Sequence, residues 1–200
     1  MSKLYNPYEK YTSSENISLG EFLVEDWNCD LVEPNHPVLK KRANVNPFSS
    51  DVDWVQREHE MCVLMQNRFG VGLAAPQVGS NHRMFVMNHS HLGEIGVYNP
   101  EILETENEVL LEEGCLSFPL LFMSIARPER VKVRFTKNDG ETVVETWMDG
   151  MDARCFLHEY DHLEGKLFID MVSDFKLRRA WAKQEKTIKK LQRQMEKNNV

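Results

Sequence analysis

His158-Glu159-Tyr160-Asp161-His162 spells HExxH within a stretch that reads as a helix, starting near Asp149–Met151 and stopping at Gly165. Residues four apart project from one helical face, so both imidazoles can bind one divalent metal ion. Glu159 then stands beside the water such an ion activates, where it can act as general base. A catalytic centre of this kind uses three protein ligands and keeps one position open. The chain follows HExxHxxGxxH through Gly165, but Phe168 occupies the position of the third histidine. Glu185 would suit a thermolysin-like arrangement, yet it lies in a strongly basic, amphipathic terminal stretch. Two cysteines lie upstream. Cys155 precedes His158 by three residues, on the same helical face, and Cys115 lies in the compact segment Glu113-Gly114-Cys115-Leu116-Ser117. Spacing alone does not choose between them.

A third segment, Gly70-Val71-Gly72-Leu73-Ala74-Ala75-Pro76-Gln77, matches GxGxxA. A dinucleotide fingerprint must follow a strand and open a helix, whereas here a helix precedes and Pro76 follows closely. The other use of such glycines is to let an extended substrate backbone lie close to the protein.

These three segments, GVGLAAPQ, EGCLS and HEYDH, stand in the order of the peptide deformylase motifs GxGLAAxQ, EGCLS and HExDH, and each matches completely. The sequence thus resembles a peptide deformylase from about Glu33 to Asp174, and His36-Pro37-Val38-Leu39-Lys40-Lys41 resembles the family's N-terminal start. The resemblance implies metal ligation by Cys115, His158 and His162, with Cys155 as a helix neighbour. The implied ion is Fe(II), with Zn(II) the common occupant in isolated protein; thiolate plus imidazole suits either. The implied reaction hydrolyses the formamide of N-formylmethionyl nascent peptides and releases formate. Glu159 would carry the proton, while the Leu116 N–H and the Gln77 amide would face the oxyanion. Val71, Gly72 and Gly114 would pair with the substrate backbone like an added strand, and Met151, Cys155 and Val71 would line the methionine pocket. Leu120-Leu121-Phe122-Met123 departs from the family in being wholly apolar. Arg154 reads equally as a pocket contact or a solvent-facing charge, and Asp161 as a partner of the metal site or a solvated carboxylate.

The elements that must position these groups read as an α+β domain: short antiparallel β-sheets around a central HExxH-bearing helix, with an N-terminal helix and a C-terminal basic helix. The N-terminal helix runs from an N-cap at Ser50 to Phe69, with Val52, Val55, Cys62 and Phe69 as its buried stripe. Cys62 and Met65 read as core packing. Strands are expected at Arg83–Asn88, Ile95–Tyr98, Val109–Leu111 and Arg130–Phe135. A turn at Lys137–Gly140 returns the chain through Glu141–Trp147 as a hairpin. The remaining histidines, His36, His59, His82, His89 and His91, are expected in turns or on helix surfaces.

The 200 residues suit one domain with an appendage, in three parts: an acidic extension 1–30, a catalytic domain 31–175 and a basic helix 176–200. The longest stretch free of Asp, Glu, Lys and Arg is 14 residues, too short and too broken for a membrane span. Residues 1–30 carry six acidic residues, no arginine and no apolar secretory core, and the four cysteines are dispersed. Both point to a cytoplasmic protein. Residues 176–200 hold nine Lys and Arg against two Glu, or +7, leaving −14 on the rest. An anionic partner suits such asymmetry, and some deformylases contact the ribosome through a basic terminal helix. Leu177, Trp181, Ile188, Leu191 and Met195 form the stripe that would dock this helix.

Overall fold

A computed structural model describes residues 29–49 and 51–198. All but two residues of the acidic extension, and Ser50, lie outside the described residues. Helix α1 (Trp54–Asn67) is capped by Asp53, whose carboxylate accepts the Gln56 N–H at 3.1 Å. Its buried residues are Trp54, Met61, Cys62 and Met65. The expected stripe is therefore corrected: Val55 is exposed, and Phe69 is 96% exposed beyond the helix end with φ of 57°. The face that packs on β1 and β2 carries Trp54, Met61, Cys62 and Met65, which keeps Cys62 in the core and leaves Val55 outside.

Strands β1 (Gly72–Ala74), β2 (Met84–His89) and β3 (Gly93–Glu106) open the main sheet. Strands β4 (Val109–Cys115) and β5 (Phe118–Arg127) form a separate pair, and β6 (Arg130–Thr136) and β7 (Val143–Asp149) complete the first sheet in the antiparallel order β1-β2-β3-β6-β7. The β6–β7 hairpin turns where expected, with Gly140 at φ of 73° and Asp139 accepting the Glu141 and Thr142 N–H groups. Val131, Val133 and Phe135 are all buried, as their alternation requires.

The main sheet has a cover on each face. Along β2, Met84 and Val86 pack with α1, while Phe85 and Met87 pack with helix α2 (Gly150–Leu163). Both faces being buried explains the unbroken apolar run Met84–Met87. A third cluster joins Phe118, Leu121, Met123 and Ile125 of β5 to Leu167, Phe168 and the terminal helix α3 (Asp174–Asn198). Leu177, Ala180 and Trp181 of α3 pack there, but Leu191 and Met195 are exposed. The expected stripe thus docks through its first half only. Arg178, Lys183, Lys186, Lys190, Arg193 and Lys197 face outward. Among the described residues, no helix is long and apolar enough to cross a membrane.

In the β4–β5 ladder Gly114 pairs with Phe122 and Cys115 with Phe118, so Pro119–Leu121 bulge out of register. Leu121 turns fully inward, and Leu120 takes the left-handed region at φ of 63°.

Candidate active site

Ala153, Phe156, Leu157 and Leu163 seat α2 on the main sheet. That orientation carries His158 and His162 toward the end of β4, where Cys115 Sγ lies 3.3 Å from His162 Nε2. One donor atom from each of Cys115, His158 and His162 lies within 4.8 Å of the others, the only such grouping among the described residues. Cys155 is outside it. Its buried thiol donates to the Val71 carbonyl at 3.2 Å, and burial pushes its pKa well above the ordinary thiol value. Glu185 is outside it too, paired with Lys189 on α3 at 2.6 Å.

Beneath the histidines lies a buried ionic cluster. Glu113 Oε2 stands 3.0 Å from His158 Nδ1, leaving Nε2 of that ring for the cysteine side. Arg127 grips Glu113 with two bonds, of 2.6 and 3.1 Å, and reaches Asp161 at 2.6 Å. Arg154 adds a bond to Glu113 at 2.7 Å and two more at 2.8 Å to the Ile125 and Val109 carbonyls. Burial alone would raise the Glu113 pKa, but the hydrogen bonds from His158, Arg127 and Arg154 outweigh it and hold the carboxyl at about 2. Arg154 is therefore a buried tie between α2 and the β4–β5 pair, and Asp161 is a partner of that cluster.

Glu159 is buried one residue from His158, and its Oε2 has no hydrogen-bond partner among the described residues. Burial is the main cause that lifts its pKa to about 7, against the pull of His158 and Arg127. A carboxyl poised there can take up and release a proton at neutral pH. Gly72 makes the room: a Cβ at that position would overlap the Glu159 carboxylate and come within 2.7 Å of Cys155 Sγ. Its glycine thus serves packing against α2 as well as any approach of substrate.

Gln77 lies in the short helical turn Ala75–Val78. Its Oε1 accepts the Ala74 N–H at 2.8 Å, which fixes the amide so that Nε2 faces Ser117 Oγ at 3.1 Å and Cys115 Sγ at 3.5 Å. Leu116 lies in the turn between β4 and β5, outside the ladder. Gly114 is set by its cross-strand neighbour, since a Cβ there would meet the Phe122 ring at 2.8 Å.

A cavity of about 550 Å³ opens over these groups. Val71, Gly72, Gly114, Cys115, Leu116, Met151, Cys155, His158 and Glu159 all line it, whereas Gln77 and His162 are buried beside Cys115. Strand β1 is an edge of the main sheet, pairing with β2 alone. Phe69, Leu120 and Phe122 form an exposed apolar rim.

Sequence reasoning missed Arg127 and the burial of His82. Glu113 and Ser117 were visible inside their motif but without a role. His82 packs edge-on against Trp54 and contacts Ser80 Oγ at 2.8 Å, so it is no surface histidine.

A model of the polypeptide deformylase family matches residues 29–178. The chain belongs to the polypeptide deformylase family. Members are metal-dependent hydrolases that remove the formyl group from the N-terminus of new polypeptides, and that is the reaction of this chain. Its sequence is 47% identical over 142 residues to the peptide deformylase of Thermotoga petrophila, covering 70% of this chain and 84% of that one. The peptide deformylase of Cytophaga hutchinsonii is 41% identical over 158 residues, covering 74% and 84%. Among solved structures, that from Legionella pneumophila superposes with a TM-score of 0.72 at 36% identity, covering 82% of this chain and 96% of that one. The Thermotoga maritima structure gives 0.67 at 44% identity, covering 72% and 97%. These matches bear out the α+β expectation.

Proposed function

We propose that Cys115, His158 and His162 hold one divalent ion, Fe(II) in the working enzyme and Zn(II) in protein isolated in air. The observation that carries this is the convergence of one sulfur and two imidazoles within 4.8 Å, with one ring held through Nδ1 by Glu113. A thiolate and two imidazoles suit either metal, and a carboxylate behind a ligating histidine is its usual support. When bound, the ion supplies Lewis acidity, which polarises a carbonyl and acidifies water.

The chain's own residues do the rest. An N-formylmethionyl peptide enters extended along β1, with the Val71 and Gly72 backbone and the Gly114 carbonyl as its strand partners. The methionine side chain fills the wall made by Val71, Met151 and Cys155. The Leu116 N–H and Gln77 Nε2–H donate to the formyl oxygen as negative charge develops on it. Glu159 takes the proton of the attacking water and delivers it to the departing amine, giving formate and a free N-terminus. The basic helix 176–200 serves as a contact to the ribosome, where such substrates emerge, in the cytoplasm; its outward lysines and arginines support this.

The test is formate release from formyl-Met peptides by protein loaded anaerobically with Fe(II). Cys115→Ser abolishes both bound metal and turnover in this reading, and a variant retaining both would overturn it. For the tail, Lys186, Lys190 and Arg193 changed together to Glu should weaken ribosome co-sedimentation, most visibly at low salt. Unchanged sedimentation across a salt series would remove the tail's role.

A further inference from the structure

The bulge Pro119–Leu121 is held from behind. Gln184 on α3 is 2% exposed and donates from Nε2 to the Pro119 carbonyl at 2.6 Å. Leu121 is fully buried in the cluster that also takes Leu177, Ala180 and Trp181 of the same helix. Between these two anchors Leu120 is forced into the left-handed region at φ of 63°, which a leucine adopts only when its neighbours dictate it. The result is that the Leu120 side chain is thrown out onto the cavity rim, where Pro119 and Phe122 also stand.

We propose that Gln184 is a positioning residue for the peptide beyond its first methionine: it fixes the Pro119–Leu120 rim that receives the second and third substrate residues. Helix α3 then belongs to the substrate cleft even though none of its residues lines the cavity. The inference rests on the reading of the cavity as the formyl-peptide cleft. The geometry separates near from far. Glu159, Met151 and Cys155 stand on α2, Cys115 ends β4 and Val71 lies just before β1, while the rim alone is tied to α3 by a hydrogen bond, from Gln184 to the Pro119 carbonyl. Loss of the Gln184 bond relaxes the bulge toward an ordinary backbone and withdraws Leu120.

The experiment compares two substrates on the full chain loaded with Fe(II): formyl-methioninamide, which ends before the rim, and formyl-Met-Leu-Phe, which crosses it. Gln184→Met keeps the length of the side chain and removes the donor; Gln184→Glu sets a carboxylate against the Pro119 carbonyl. Each should raise KM for the tripeptide about fivefold, the size of one neutral hydrogen bond, with kcat little changed. Neither should move kcat/KM for formyl-methioninamide by more than about twofold, within the spread of remote substitutions. Leu120→Gly, which suits the left-handed backbone, is the second variant and should raise the tripeptide KM by itself. Equal effects on both substrates, or none on the tripeptide, would overturn the positioning role. A tripeptide KM untouched by Leu120→Gly would overturn it too. Failure of the unsubstituted protein to turn over formyl-methioninamide would instead count against the cleft reading itself.

Discussion

Glu113 Oε2 meets His158 Nδ1 at 3.0 Å, and that single contact decides which nitrogen of the ring looks toward Cys115. Two arginines hold the carboxylate in place, so the histidine is aimed by a buried group that cannot rotate away. A buried ion pair stripped of one member leaves the other charge uncompensated, which costs about 3–5 kcal/mol. The same cluster therefore governs both the geometry of the site and the acid tolerance of the fold.

The Glu113 carboxyl is held at about 2 against an ordinary 4.5, so the unfolded chain binds a proton where the folded chain does not. The stabilisation is complete above pH 4.5 and is lost as pH falls from 4.5 through 2. It amounts to something on the order of 3 kcal/mol. Urea unfolding of chelator-treated protein over this range should show the loss, and Glu113→Gln should flatten it. Parallel pH dependences of the two proteins would rule out Glu113 as the source.

Among the described residues Glu159 Oε2 has no hydrogen-bond partner, which fits a proton carrier better than a structural acid. Glu159→Gln keeps the shape and the three metal ligands but removes the proton site. Metal content should stay at one ion per chain while kcat falls by about 10²–10⁴. Near-normal turnover at neutral pH, with metal content measured in the same sample, would refute its role.

Gly72→Ala tests the contact between β1 and α2. The added methyl meets the Glu159 carboxylate and Cys155 Sγ, so one of them must move. Overpacking of this kind costs about 1–3 kcal/mol of stability. Here kcat should fall together with Tm. A variant with lowered Tm but unchanged kcat would show that Cys155, not Glu159, gives way.

Gln77→Leu leaves the Ala74 N–H without its acceptor and removes the donor that faces Ser117 and Cys115. Loss of one oxyanion donor removes about 2.7–4 kcal/mol of transition-state stabilisation. The loss should fall on kcat, with KM for formyl-Met peptides nearly unchanged. A change confined to KM would make Gln77 a binding group instead.

The three motifs and the α2 helix were legible because their signals are local: HExxH fixes a helical face by itself, and Val131, Val133 and Phe135 alternate cleanly. Strand β5 was not, and the bulge explains why. Phe118 and Leu121 both face inward three residues apart, which breaks the period of two, and Arg127 occupies an inward position that its charge disguises. Strand β1 is only three residues long and carries no pattern. Helix α1 was seen but phased wrongly, because its apolar residues outside the core, Val55 and Val63, compete with the buried ones. The ionic cluster could not be read at all. Arg127 is 14 residues from Glu113 and 34 from Asp161, and only the fold brings them together.

The deep placement of Cys62 and Cys155 has a practical outcome for labelling. Burial lifts the Cys62 thiol to about 12 and that of Cys29 to about 11, with Cys155 also raised well above the usual value. Alkylating reagents attack thiolates, so at neutral pH these three are poor targets. The remaining cysteine is Cys115, half-buried at the edge of the cavity. A brief iodoacetamide pulse followed by intact-mass spectrometry then becomes a tally of occupancy: chains whose Cys115 sulfur is engaged by an ion stay unmodified, and emptied chains gain a single adduct.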